Sequence, residues 1–275
     1  MSDSPTEGQS SDQVQVRTAS SDITVGPNRL LFTILDEMGR PLNTEDVTLR
    51  FFRTEGDNTD LPIAETTGQH LGAGEAAAQG LYVVRLDLPE PGGYLVEATL
   101  RRAGRAPTSA TTGFRAKVNY DVPGIGESAP ASAHPTSSST PIEWLTSARP
   151  VGDPEFYRLT IGEALAEKKP LVVIFSTPAF CQTRRCGPQL HIAESLRPVY
   201  ANRINFIHIE ILERPDLVLA GEAQPKVRDI VREWRLPTEP WVFLIDENGL
   251  IFDRFEGFSP RAEMEASIQR LLSAA

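Results

Sequence analysis

No apolar run in this sequence approaches the ~20 residues that a membrane-spanning helix needs, which excludes a transmembrane segment within it. Nor is there a dense basic patch: the formal net charge is −10, which argues against a nucleic-acid partner and favours solubility. The opening stretch MSDSPTEGQSSDQ lacks a charged region followed by an apolar one, so no signal peptide is expected in it. Cysteine is scarce, with two in 275 residues, and no histidine follows His208. What remains is an ordinary soluble composition in a chain long enough for two domains with real cores.

Both cysteines fall in one short stretch, and the chain is organised around it. Leu171-Val172-Val173-Ile174-Phe175 is a β-branched apolar run of the length of a buried strand. A loop with Cys181 and Cys186 follows, then Gly187-Pro188 and apolar residues at Leu190, Ala193, Leu196 and Tyr200, which is helical spacing. Proline is tolerated in a first helical turn, whose N–H groups lack helix partners. Cys186 is therefore expected at or just before a helix N-terminus, where unpaired N–H groups favour a thiolate. Arg184 and Arg185 add cationic neighbours as site-tuning residues. Four residues separate the cysteines, so a loop allows a Cys181–Cys186 disulfide that a continuous helix would not.

Strand, cysteine loop and helix, with Cys186-Gly187-Pro188, resemble the active-site segment of the thioredoxin-like superfamily. The family's usual pair has two residues between its cysteines. Here Gln189 takes the second cysteine's place and the other cysteine lies upstream. The run from Leu236 to Gly249, LPTEPWVFLIDENG, resembles the family segment in which a cis-proline precedes a strand. The resemblance covers about 153–272. It implies that Pro240 is cis and faces the cysteine loop, completing a catalytic set of Cys181, Cys186 and Pro240 with Glu239 beside it.

The rest of the chain reads as follows. Residues 1–13 are polar, the composition of a disordered tail. Across 14–118 a two-residue period recurs at Leu30-Phe32-Ile34, Val47-Leu49-Phe51, Tyr82-Val84-Leu86-Leu88, Tyr94-Val96-Ala98-Leu100 and Phe114-Ala116-Val118. Turn residues separate these runs, Glu55-Gly56-Asp57-Asn58 among them, which predicts an all-β sandwich. Its phrases Gly80-Leu81-Tyr82 and Gly93-Tyr94-Leu95-Val96-Glu97 resemble immunoglobulin-like modules of bacterial envelope proteins, implying spacing or docking. Residues 119–150 have the proline and Ser/Thr content of an extended linker, with Trp144 as an anchor. In 151–275 a capping box, Thr160-Ile161-Gly162-Glu163, starts a short helix. Strand, helix, strand, irregular insertion, helix, hairpin and last helix follow, an α/β thioredoxin-like arrangement.

Each candidate carries a plainer reading. The cysteines serve either a dithiol/disulfide redox pair or a structural disulfide. On electrostatic grounds Cys186 is the better nucleophile and Cys181 the resolving partner, with the reverse left open. A peroxidase of the peroxiredoxin type needs threonine three residues before the reactive cysteine, where Pro178 precedes Cys181. A copper-chaperone reading lacks its later histidine. His191 reads as a solvated helix residue and His208, between Ile207 and Ile209, as structural. Glu239 is either a solvent-facing charge or a carboxylate that accepts a proton from the pair or restrains thiolate formation. No cofactor and no metal site are expected.

The expected function is thiol-disulfide exchange with a partner protein through Cys181 and Cys186. The alternative is a non-enzymatic envelope binding or scaffold protein holding a structural disulfide. A β-module and linker ahead of a thioredoxin-like domain favour an extracytoplasmic setting, with an export or anchoring segment upstream of Met1, over a cytoplasmic one.

Overall fold

The computed structural model describes residues 13–43, 46–57, 59–72 and 79–274, which form two compact units. The expected tail, but for Gln13, lies outside these residues, as does Asn58 of one turn. Of the described residues, the first unit takes in those from 13 to 19 and from 23 to 118; the second comprises Ser20–Asp22 and 119–274.

The first unit is built from β1 (Val14–Thr18), β2 (Gly26–Asp36), β3 (Val47–Arg53), β4 (Pro62–Thr67), β5 (Gln69–His70), β6 (Leu81–Leu88), β7 (Gly92–Leu100) and β8 (Thr108–Ala116). They make two antiparallel sheets, ordered β1-β2-β6-β5 and β4-β3-β7-β8. Alternate residues point inward, and Leu30, Phe32 and Ile34 of one sheet share a core with Val47, Leu49, Phe51, Val96 and Ala98 of the other. Phe32 meets Phe51 edge-on at 6.0 Å. Gly80, at φ +64°, is required where it stands, since a Cβ would lie 2.8 Å from Pro41 Cβ and 2.9 Å from the Ile34 carbonyl. Strands β4 and β5 edge their sheets and bury no residue, which is why no alternation marks them in the sequence.

The second unit contains α1 (Ile161–Ala166), β9 (Leu171–Ser176), α2 (Cys186–Tyr200), β10 (Asn205–Glu210), α3 (Pro215–Leu219), α4 (Asp229–Glu233), β11 (Trp241–Ile245), β12 (Ile251–Glu256) and α5 (Arg261–Ala274). Its sheet is mixed, in the order β10-β9-β11-β12. Strand β9 is buried throughout, parallel to β10 and antiparallel to β11. Both halves of the capping box form at α1, with Thr160 accepting from the Glu163 N–H and the Glu163 carboxylate accepting from the Thr160 N–H. Phe175, Trp234, Trp241 and Phe243 pack together in the core, with Trp241 stacked on Phe243 and the other ring pairs tilted or edge-on.

Two expectations are corrected here. The stretch 119–150 is not a free extended linker. It has little regular structure, yet Val122, Ala129, Leu145, Thr146 and Ser147 are buried, and the first two belong to the core of the second unit. Single apolar residues scattered among prolines have no period, so composition alone concealed the packing. The insertion after β10 also contains α3, and Leu212 bridges Val227 across it. Trp144 anchors this region: the Arg214 guanidinium lies 3.9 Å over its ring, and Arg228 donates to its carbonyl. A buried ion pair adds to the unit: Asp22 accepts from Arg254 at 2.7 Å and from the N–H groups of Asp121 and Val122.

Candidate functional site

Strand β9 delivers the chain to the site. After Ser176 the backbone turns tightly, with the Phe180 and Cys181 N–H groups both donating to the Thr177 carbonyl. A second turn, Arg184 N–H to Cys181 carbonyl, brings the chain back to the start of α2, and Arg184 takes a left-handed conformation at φ 57° to do so. Helix α2 begins at Cys186. The five-residue spacing is thus closed by two turns, and the two sulfurs end up hydrogen-bonded to each other as free thiols.

Their environments differ sharply. Cys181 Sγ receives hydrogen bonds from the Cys186 thiol, the Thr183 hydroxyl at 3.2 Å, and the backbone N–H groups of Cys186 and Arg185 at the mouth of α2. These donors, the Cys186 thiol foremost, lower its pKa from 9.0 to about 5. Cys186 is fully buried, and burial together with the neighbouring Cys181 charge pushes its thiol far up. The electrostatic preference for Cys186 as the stronger thiolate is therefore reversed. A helix N-terminus favours the sulfur toward which its N–H groups point, here that of Cys181, whereas the sulfur on the first helical residue is buried against the protein.

Register fixes the other wall. Trp241 pairs with Phe175, so Pro240 falls opposite Ser176, where the cysteine loop leaves the sheet. Pro240 is buried and the Glu239–Pro240 peptide bond is cis. Glu239 is half-buried with its carboxyl raised by burial and by the Cys181 charge, and it in turn acts on Cys186. Arg185 feels the Cys181 charge as well, whereas Arg184 is exposed and serves the loop through its backbone. Gln189, in the place of the family's second cysteine, is fully buried; its side-chain oxygen accepts from the Ser259 N–H and its amide reaches Met264 Sδ, so it fastens α2 to the start of α5.

Several supporting groups escaped the sequence reading. Glu210 is buried at the end of β10 and accepts from the N–H groups of Ser147 and Leu212. Ser147 Oγ in turn accepts from the Ala179 N–H, two residues before Cys181, which ties the thiol loop to the segment before the domain. Burial raises the Glu210 carboxyl. His208, which the sequence suggests is structural, is buried between Tyr157 Oη at 2.9 Å and Ser176 Oγ at 2.8 Å, and burial lowers its pKa to about 3. Glu210 appears in the sequence as the polar member of an alternating strand; nothing there signals that it faces inward.

Residues 157–272 match a family model described as a thioredoxin-like domain. This C-terminal half of the molecule is a thioredoxin-like domain. No curated protein sequence matches the chain. Among solved structures it is similar to chloroplastic thioredoxin z, at 18% identity and a TM-score of 0.30 over 40% of this chain and 84% of that one. StoA from Bacillus subtilis also matches at 18% identity and 0.30, over 37% and 83%. The C-terminal domain of a candidate thiol-disulfide oxidoreductase from Bacteroides thetaiotaomicron gives 14% and 0.35, over 55% and 98%. At these scores the structures carry no argument about activity; the thioredoxin-like assignment stands on the family model and the sheet order.

Proposed function

We propose that the protein exchanges disulfides with a partner protein, using Cys181 as the attacking thiolate and Cys186 as the resolving thiol. One observation carries this reading: four donors converge on Cys181 Sγ and lower its pKa to about 5. A structural disulfide has no use for a stabilised thiolate; a nucleophile does.

The step begins with Cys181 S⁻ attacking one sulfur of a partner disulfide, R–S–S–R′. A Cys181–S–S–R bond forms and R′–S⁻ leaves. The Cys181 charge has then gone, and with it two of the influences that hold the Cys186 proton, the hydrogen bond to Cys181 and the repulsion by its charge. Cys186 releases its proton and attacks Cys181 Sγ. The Cys181–Cys186 disulfide forms and R–S⁻ departs, so the partner is reduced by two electrons and this chain oxidised by two. Run backwards, the same steps oxidise a partner dithiol. Pro240 would shape the partner-facing wall, and Glu239 would set how readily the pair ionises.

The same proposal includes an extracytoplasmic setting and an immunoglobulin-like spacing or docking role for the N-terminal sandwich, supported by the two-module order. No helix among the described residues is long and apolar enough to cross a membrane.

Alkylation of the reduced chain with iodoacetamide across pH, read by mass spectrometry, tests the reading. Cys181 is expected to label with a midpoint near pH 5, while Cys186 resists throughout. Labelling of Cys181 only at an ordinary thiol pH, with no reaction toward small disulfides, would leave the scaffold alternative.

A further inference from the structure

A cleft of about 380 Å³ adjoins the thiol loop on the side of α2. Pro178 of the loop and Leu190 of α2 form part of its apolar lining, and Leu219, the last residue of α3, contributes from the insertion. Arg149 and Glu194 supply opposite charges on its lining. Gly187, next to Cys186, lines it without a side chain, and a Cβ there would find its nearest neighbour, the Pro178 carbonyl, 3.9 Å away. The wall holding Glu194 is tightly built, because Gly152 packs so closely on the carboxylate that any Cβ would collide with it. Leu219 is left 42% exposed.

The chemistry of the lining selects an occupant. Its volume lies at the low end of the ~300–1,000 Å³ of small-ligand sites, room for one or two side chains and too little for a folded element. Its walls are mostly apolar, and the charges of Arg149 and Glu194 suit the polar backbone of a polypeptide passing over them. It is continuous with the chain on both sides of the thiol pair, through Pro178 and Ala179 before Cys181 and Gly187 after Cys186. Ala179 lies two residues before Cys181 and Gly187 directly follows Cys186, so the cleft borders both sides of the thiol pair, within reach of a polypeptide that extends about 3.3–3.6 Å per residue from a sulfur meeting Cys181.

We propose that this cleft is a specificity pocket that takes a bulky apolar side chain, one or two residues from the reacting cysteine of the partner polypeptide. The proposal rests on the thiol-exchange reading and adds what kind of partner sequence is preferred. Pro240 is not part of the pocket, so selection by it is separate from the wall that Pro240 would supply.

Affinities of synthetic octapeptides for the reduced full-length chain provide the test. In each, serine replaces the reacting cysteine, so that binding is read without chemistry, and leucine or serine is placed at each of the two positions on either side. At one or more positions the leucine peptide is expected to bind roughly tenfold or more tighter than its serine twin, the scale of a filled apolar pocket. In Leu219→Asp, and in Gly187→Leu, whose new side chain would occupy the space, that ratio falls toward one. Equal affinities at every position overturn the pocket, and so does a ratio that survives in both variants when their circular dichroism is native. Reaction of the wild-type chain with a small disulfide, measured alongside, separates the two claims. Failure there sinks thiol exchange, whereas small-disulfide reaction with equal peptide affinities sinks the pocket alone.

Discussion

At the centre of the N-terminal sandwich lie Leu30, Phe32, Leu49, Phe51 and Val96, and the one buried Ser, Thr, Asp, Glu, Asn, Gln or His side chain described there is Thr24. The thioredoxin-like unit has an apolar core of similar make, but it also buries Ser147, Ser176, Thr177, Gln189, His208 and Glu210 beside its two thiols. Buried polar groups are costly unless paired: Glu210 and Ser147 form a chain that reaches the cysteine loop at Ala179, Ser176 pairs with His208, and Gln189 pairs with the Ser259 N–H. The first unit shows what apolar alternation alone can specify. The second carries an added set of buried polar groups beside its thiols, so the two should respond differently to substitution.

The widest separation is expected between Cys181→Ser and Phe51→Ala. Removing the proposed attacking thiolate should slow reaction with a disulfide by about three orders of magnitude or more, at little cost in stability. Phe51→Ala should destabilise its unit by about 3–5 kcal/mol while thiol reactivity stays within a few-fold, since it opens a cavity far in sequence from any reacting group. Loss of reactivity in Phe51→Ala comparable to that in Cys181→Ser, in folded protein, would break the division of labour.

Acid should separate the units next. His208 has its folded pKa depressed from 6.5 to about 3, so the neutral ring contributes stability that is present above pH 6.5 and lost as pH falls toward 3. Each pH unit in that window removes up to about 1.4 kcal/mol. Glu210 works with the opposite sign: its raised carboxyl favours the folded state most at low pH, and that benefit disappears as pH rises. Comparison with His208→Gln isolates the histidine. The stability advantage of the wild type over the variant, from urea unfolding, should shrink between pH 6.5 and 3. A constant difference would refute the sign. In the first unit the lowered carboxylates are Glu55, which is solvent-exposed, and Asp36, which is half-buried in a turn beside the exposed Arg40, and both should contribute little to any such slope.

Ser147→Ala tests whether the polar chains truly hold the thiol loop. It removes the acceptor of the Ala179 N–H, a loss of about 1–3 kcal/mol if that group stays unsatisfied. Hydrogen exchange should accelerate at Ala179, and the Cys181 alkylation rate should change with it, while amides of β3 and β7 are unaffected.

How much of this could be read beforehand follows the same divide. Strands whose apolar residues alternate, such as β3 and β7, and the capping box at Thr160–Glu163 announce themselves because local sequence alone determines them. Edge strand β4 does not, since little of it is buried. The fold of the second unit was legible from β9, the cysteine loop and the Pro240 segment. The site was legible only as a set of residue types. That Cys181 and not Cys186 receives the helix N–H groups depends on two turns and on the left-handed backbone of Arg184, and side-chain chemistry does not encode either. Ser147 meets Ala179, and Glu210 meets Ser147, across separations that no local pattern records.

Glu239 gives the smallest and sharpest test. The Cys181 charge raises its carboxyl, its own charge weighs on Cys186, and repulsion between two like charges acts on both partners. Glu239→Gln removes that charge with nearly the same shape. The alkylation midpoint of Cys181 should move further down, and resolution by Cys186 should speed up if the carboxylate acts chiefly as a restraint. If instead Glu239 accepts the Cys186 proton, the midpoint still falls but resolution of a preformed mixed disulfide slows and loses its dependence on pH near the Glu239 titration. The two readings thus share one observable and part on the other. An unmoved midpoint would refute both, placing Glu239 with the solvated charges that cover the rest of the surface.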